Sequence, residues 1–283
     1  MLIEDLFDVR DRIVVVTGGA GGIGLAIADV LGDNGARVFL LDRDQARLDR
    51  AIGQLRDRGD RVAGIRGDLL DRTALQAAID AVVAREGRLD VVFANAGISG
   101  GPGFLAPDGT RHPQGGLAAI PDDLWDRVIE GDLMSVVATL QAAIPQMKRQ
   151  GRGRIVVTTS VAAIKTENFV GYPYIAAKAA VAHLVRQCAL EVAGYGIQIN
   201  AIAPGPFLTT IGENRMADPV VRRAFESVPL LHRMAGTSEI QGLALLLASD
   251  ASSYITGAQL TVDGGATAGH IAWGDGAIAP DAG

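Results

Sequence analysis

The chain has 283 residues, 48% hydrophobic and 20% charged with 36 glycines, a globular composition long enough to bury about three quarters of its unfolded surface. A net charge of −6, a pI near 5.2 and the lack of any basic run argue against nucleic acid or an anionic membrane as partner, since neither attracts an acidic surface. The single cysteine, Cys188, excludes an internal disulfide; with an acidic N-terminus unlike a secretory signal and no apolar run of roughly 20 residues, the expected location is the cytoplasm.

In chain order, Ile13-Val14-Val15-Val16 predicts a first strand, apolar on both faces as buried parallel strands are. It ends in Thr17-Gly18-Gly19-Ala20-Gly21-Gly22-Ile23-Gly24 and passes directly into helical spacing over residues 22–34. Glycines between a strand and a helix let the backbone approach a pyrophosphate held on the helix N-terminus. The run fits two spacings, one through Gly19, Gly21 and Gly24 and one through Gly18, Gly22 and Gly24. Val38 to Leu41 predicts a second strand closed by Asp42, at the distance of an acid that bonds a ribose 2′-hydroxyl; a carboxylate there repels a 2′-phosphate and favours NAD. Arg43 beside it keeps NADP open, and Asp42 also reads as an exposed acid before the next helix, 44–58. After a third strand, Val62 to Ile65, Asp68 reads equally as a cap of the helix 71–86 or as a partner of an adenine amino group.

A fourth strand, Val91 to Ala94, leads into Asn95-Ala96-Gly97, small residues that admit a cofactor and an amide that holds the loop. Residues 98–120 then form a glycine- and proline-rich loop, read either as a wall of the substrate pocket or as a surface loop. Helical spacing over 121–150 places Leu133, Val136, Val137, Leu140, Ile144 and Met147 on one stripe. Ser160 follows a fifth strand, Ile155 to Val157. A helix over 173–194 begins with Tyr174 and Lys178, four apart and therefore on one face, an arrangement that lets an ammonium act on a phenol. A sixth strand, Ile197 to Ile199, precedes Pro204-Gly205, a segment 207–235 containing Met216, Phe225 and Met234, and a tail 266–283 with Ile271, Trp273 and Ile278. The alternation implies one doubly wound α/β domain with a parallel, Rossmann-type sheet over 1–265. His112, His183, His232 and His270 show no ligand spacing, and no metal is expected.

Thr17 to Gly24, Asn95-Ala96-Gly97, Ser160, Tyr174-x-x-x-Lys178 and Pro204-Gly205, in this order, resemble the classical short-chain dehydrogenase/reductases from about Asp11 to Gly265. The resemblance implies Tyr174 as general acid–base, Lys178 on the nicotinamide ribose and lowering the tyrosine pKa, and Ser160 orienting the substrate oxygen. It also implies cofactor contacts from Thr17, Gly18, Gly22, Ile23, Gly24, Asp42, Asp68, Leu69, Asn95, Ala96, Gly97, Tyr174, Lys178, Pro204, Gly205 and Thr209. The segment 207–235 matches the family's lid, and a homotetramer or homodimer is its usual assembly. Where the family places asparagine in a proton relay, this chain has Asp132, in Trp125-Asp126-Arg127-Val128-Ile129-Glu130-Gly131-Asp132-Leu133. An ionised carboxylate accepts but does not donate, so either a relay of altered pH dependence or an impaired site follows. The expected activity is NAD-linked interconversion of a secondary alcohol and a ketone; an extended-type epimerase or dehydratase and a non-catalytic NAD-binding scaffold are the alternatives.

Overall fold

The computed structural model describes residues 2–209 and 218–269. Seven strands form one sheet: β1 (Ile13–Thr17), β2 (Arg37–Asp42), β3 (Val62–Arg66), β4 (Val91–Ala94), β5 (Gly153–Thr158), β6 (Ile197–Pro204) and β7 (Gln259–Val262). Their order is β3-β2-β1-β4-β5-β6-β7 with every neighbouring pair parallel. The chain therefore reverses its direction of winding between β1 and β4. In open α/β sheets a crevice opens there, beyond the carboxyl ends of the strands.

The helices are α1 (Ile3–Leu6), α2 (Gly22–Asp33), α3 (Gln45–Gln54), α4 (Arg72–Glu86), α5 (Asp122–Ile129), α6 (Ser135–Gln150), α7 (Tyr172–Val192), α8 (Pro219–Glu226) and α9 (Gln241–Ala248). Successive side chains of β1 point to opposite faces, so one strand feeds two cores. Ile13 and Val15 join Ile79 of α4, Leu140 of α6 and Val181 of α7; Val14 and Val16 join Ile27 of α2, Leu48 of α3 and Leu247 of α9. Asp71 starts α4 by accepting hydrogen bonds from the backbone N–H groups of Thr73 and Ala74, both at 3.0 Å, and Gly87 ends it at φ 78°.

Three expectations differ from the fold, and one strand was not expected at all. β3 is buried at Val62 but exposes Gly64 and Arg66, because it is the edge of the sheet rather than an interior strand. β7 escapes the sequence pattern because the opposite edge needs apolar residues only at Leu260 and Val262, with Gln259 and Thr261 between them. The helix expected over 44–58 stops at Gln54, and the chain continues in tighter turns through Gly59, whose φ of 58° breaks any helix. The helix expected over 121–150 is interrupted by a wider turn at Glu130–Met134, which carries Asp132. The stretch Asp122–Gln150 as a whole has the length and apolarity of a membrane span, although charges break any uninterrupted apolar run; half of its most apolar window is buried against the protein, with Val136, Leu140, Ala143 and Met147 in the core.

Candidate active site

A cavity of about 430 Å³ opens at the carboxyl end of the sheet, over the β1/β4 switch point. Its floor is built by hydrogen bonds between strand ends. The backbone N–H of Asn95 donates to Thr17 Oγ1 at 3.0 Å, its side-chain amide donates to the carbonyl oxygens of Thr17 and Gly18 at 3.3 and 3.4 Å, and Thr158 Oγ1 donates to Asn95 Oδ1 at 3.0 Å. One asparagine thus joins β1, β4 and β5. Gly18 and Gly22 both have positive φ, 63° and 54°, so the structure selects the spacing through Gly18, Gly22 and Gly24. A Cβ on Gly18 would lie 2.9 Å from the Ala96 Cα, which leaves bare backbone facing the cavity.

At the end of β2, one oxygen of Asp42 accepts from the Asp44 N–H at 3.1 Å, while Asp44, not Asp42, caps α3. The next strand repeats this division. Asp68 accepts from the Leu70 N–H at 3.0 Å, and the cap of α4 is Asp71. With α4 capped by Asp71, the cap reading of Asp68 falls, and both Asp42 and Asp68 line the cavity. Arg43 and Arg47 line it beside Asp42.

The other half of the cavity holds the ionisable cluster. Lys178, 3% exposed, places Nζ 3.0 Å from Oδ1 of the fully buried Asp132, and donates to the Thr158 carbonyl oxygen at 3.3 Å. Its Nζ stands 5.4 Å from the centre of the Tyr174 ring. The Ile98 N–H donates to both oxygens of Asp132, at 3.3 and 3.4 Å. Gly97 permits this approach, since a Cβ there would lie 2.6 Å from Asp132 Oδ1. Burial pushes the Asp132 carboxyl up, against the Lys178 charge and the Ile98 hydrogen bond. Burial pulls the Lys178 ammonium down, but Tyr174 and Asp132 together outweigh it and hold the lysine above its ordinary value. Ser160 Oγ accepts from the Ala162 N–H at 3.1 Å, which leaves its own hydrogen available to a ligand.

Ser160, Tyr174, Lys178 and Asp132 line this single cavity, and so do the residues expected to hold the cofactor, except Thr17 and Gly24. Thr17 is buried beneath the floor, where its hydroxyl donates to the Phe93 carbonyl oxygen at 3.3 Å and supports Asn95. Gly24 packs directly on the cradle, since a Cβ there would lie 2.4 Å from the Gly18 carbonyl oxygen. Both act on the cradle from behind. From the loop 98–120 only residues 98–101 reach the cavity; beyond them Pro102 pairs with Val170, and the Leu105 N–H donates to the Asn168 carbonyl oxygen at 3.2 Å. Phe225 and Met234 line the cavity, while Met216 and the tail residues Ile271, Trp273 and Ile278 lie outside the described residues. Arg47 belongs to no motif of the sequence, although its place one helical turn after Arg43 is a usable signal. Among the described residues no group of three His, Cys, Asp or Glu is placed to hold a metal.

Residues 18–267 match the family model described as enoyl-(acyl carrier protein) reductase. The chain is 38% identical over 259 residues to cis-4-hydroxycyclohexanecarboxylate dehydrogenase of Sinomonas cyclohexanicum, covering 91% of this chain and 97% of that protein. It is 34% identical over 284 residues to cyclohexanol dehydrogenase of Rhodococcus sp. (strain TK6), covering 93% and 98%. Among solved structures, NADPH-dependent 3-quinuclidinone reductase from Rhodotorula rubra superposes with a TM-score of 0.82 at 31% identity, covering 95% of this chain and 96% of that one.

Proposed function

This chain belongs to the classical short-chain dehydrogenase/reductase family, and on that premise we propose that it is an NAD-dependent oxidoreductase that oxidises a ring-bearing secondary alcohol to its ketone, or reduces the ketone. The observation that carries this reading is the meeting of two half-sites in one cavity: a bare-backbone cradle ending at Asp42, and a Tyr174–Lys178–Ser160 cluster at the other end. Phe169, Phe225, Val228 and Met234 give the second half apolar walls suited to a carbocycle.

The residues fit a dinucleotide: Gly18, Gly22 and Ile23 would face the pyrophosphate, Asp42 the adenosine ribose, Asp68 and Leu69 the adenine, and Asn95 to Gly97, Pro204, Gly205 and Thr209 the remaining length. When bound, the nicotinamide ring supplies the hydride acceptor. Tyr174 takes the hydroxyl proton as the carbinol becomes a carbonyl, and Ser160 donates its hydrogen to the same oxygen and fixes its direction. Lys178, held in place by the Thr158 carbonyl and Asp132, would supply positive charge beside the phenol and donate to the ribose. Of the expected lid, 207–235, residues 210–217 lie outside the described residues; Phe225, Val228 and Met234 on the cavity wall would cover the ring and exclude water. The reading places the enzyme in the cytoplasm as a homotetramer or homodimer; Leu190 on α7, 79% exposed, and Tyr195 just beyond it, 47% exposed, are the apolar groups a second copy would cover, and light scattering on a sizing column tests the assembly.

Absorbance of the reduced nicotinamide, followed with cyclohexanol and cyclopentanol against each cofactor, tests the reaction itself. Turnover confined to primary alcohols, or none with either cofactor, removes the reading. The cofactor assignment has a separate test. Asp42→Ala takes away the charge that repels a 2′-phosphate while leaving Arg43 and Arg47 in the cavity, so the ratio of kcat/KM for NADP over NAD should rise about a hundredfold. An unchanged ratio would show that Asp42 does not read the ribose.

A further inference from the structure

Four carboxylates line the described cavity, and three have a place in the reading above: Asp42 and Asp68 at the ends of β2 and β3, and Asp132 on Lys178. The fourth is Glu167. It lies in the segment between Ser160 and α7, a segment braced from outside by the Pro102–Val170 bridge and by the Leu105 N–H to Asn168 carbonyl bond. A Cβ on Gly103 would fall 2.1 Å from the Asn168 carbonyl oxygen, so the two backbones are in direct contact and Glu167 is carried on a supported loop.

The Glu167 side chain is 12% exposed. Lys165 Nζ stands 3.3 Å from its Oε1, and among the described residues Oε2 has no hydrogen-bond partner. The same cavity is lined by Phe169, whose ring centre is 6.4 Å from that of Phe225, and by Met234. Burial pushes the Glu167 carboxyl up, and Lys165 offsets this only in part. Glu167 lines the cavity, so its free oxygen can accept from whatever fills that space, and a ligand hydroxyl there replaces a water as the donor.

The charge balance narrows the kind of donor. Lys165 and Glu167 together are neutral, so the pair offers no net attraction to a cation. An anionic substituent brought against Glu167 would place two acceptors face to face. A neutral hydroxyl satisfies the free oxygen without adding charge. We propose that Glu167 is a specificity-determining residue that accepts a hydrogen bond from a second hydroxyl on the ring of the substrate, so that the site prefers cyclic diols to the corresponding mono-alcohols and to ring alcohols bearing a carboxylate. This rests on reading the cavity as an alcohol and ketone site.

The test compares cyclohexane-1,4-diol, cyclohexanol and 4-hydroxycyclohexanecarboxylate on the NADH-loaded enzyme by calorimetry, and on the NAD-loaded enzyme by turnover. The diol should bind about tenfold to a hundredfold more tightly than cyclohexanol, the worth of one hydrogen bond to a charged group. Glu167→Leu should bring that ratio close to one. Glu167→Gln, which keeps an acceptor oxygen in nearly the same shape, should retain a diol preference and guards against a leucine variant that folds poorly. Equal binding of diol and cyclohexanol, a ratio that survives in Glu167→Leu, or tighter binding of the carboxylate overturns the assignment. A diol preference in binding with no turnover of any alcohol would support Glu167 and defeat the dehydrogenase reading. Turnover of cyclohexanol and diol at equal kcat/KM would do the reverse.

Discussion

Tyr174→Phe is expected to lower kcat for alcohol oxidation by about 10²–10⁴, the usual worth of a positioned acid–base group. The ring and its place at the first turn of α7 are retained, so packing is conserved while the proton acceptor is lost. NADH binding, measured by its fluorescence, should weaken by less than about tenfold, because a single hydrogen bond to the ribose is the most that is removed. Loss in kcat with cofactor affinity kept separates a chemical role from a structural one. A variant that retains rates within about tenfold of the parent would mean that another group moves the proton.

The second large effect concerns Asp132. Its carboxylate is fully buried and lies 3.0 Å from Lys178 Nζ, so the lysine charge that would act on the phenol is partly neutralised at its source. On the proposed mechanism, oxidation is expected to speed up with pH as the cluster gives up a proton before the substrate hydroxyl loses its own. A negative charge near that site opposes the loss, and removing it helps. Asp132→Asn keeps an acceptor oxygen beside Lys178 and the Ile98 N–H but takes away the charge. The rising limb of the pH–rate profile is therefore expected to move to lower pH by about one unit, from a Coulomb term of about 1–2 kcal/mol at the dielectric of a partly wet site. That midpoint belongs to the coupled Tyr174–Lys178–Asp132 cluster, not to one residue. An unmoved profile would assign Asp132 to structure alone.

Asp132→Leu is the harsher change. It leaves the Lys178 ammonium buried with the Thr158 carbonyl as its remaining hydrogen-bond partner among the described residues, which should cost about 3–5 kcal/mol of stability, seen as a lower denaturant midpoint. The contrast between the two variants matters for the scaffold alternative. A pair kept only to hold the fold would tolerate asparagine without any change in the pH dependence of the reaction. A pair that sets the proton inventory would not.

Much of this site was legible in the residues. The strand, glycine turn and helix at the start of the chain, Asn95-Ala96-Gly97, and Tyr174 with Lys178 are local patterns, because the chemistry needs them at fixed spacing along one element. The buried interior strands were equally plain, since a strand covered on both faces has nowhere to put a polar side chain. Even the departure at position 132 was visible, although only as a change of residue type.

The tertiary structure decided what depends on long-range juxtaposition. Which glycines turn the backbone was undetermined by a run that fits two spacings, and the positive φ of Gly18 and Gly22 settles it. The edge strand β7 was invisible because an edge asks for only two apolar residues in four. Asp132 and Lys178 lie on separate helical segments, and their ion pair exists because the wider turn at Glu130–Met134 brings that carboxylate to α7. Glu167 belongs to no motif of the sequence; residues 102–105, packed against its loop, help place its carboxylate on the cavity wall. Residue types and spacing along single elements determined the family and the fold and named the candidate reacting groups; burial and charge pairing between distant segments, which no local pattern encodes, decided how those candidates are placed and paired.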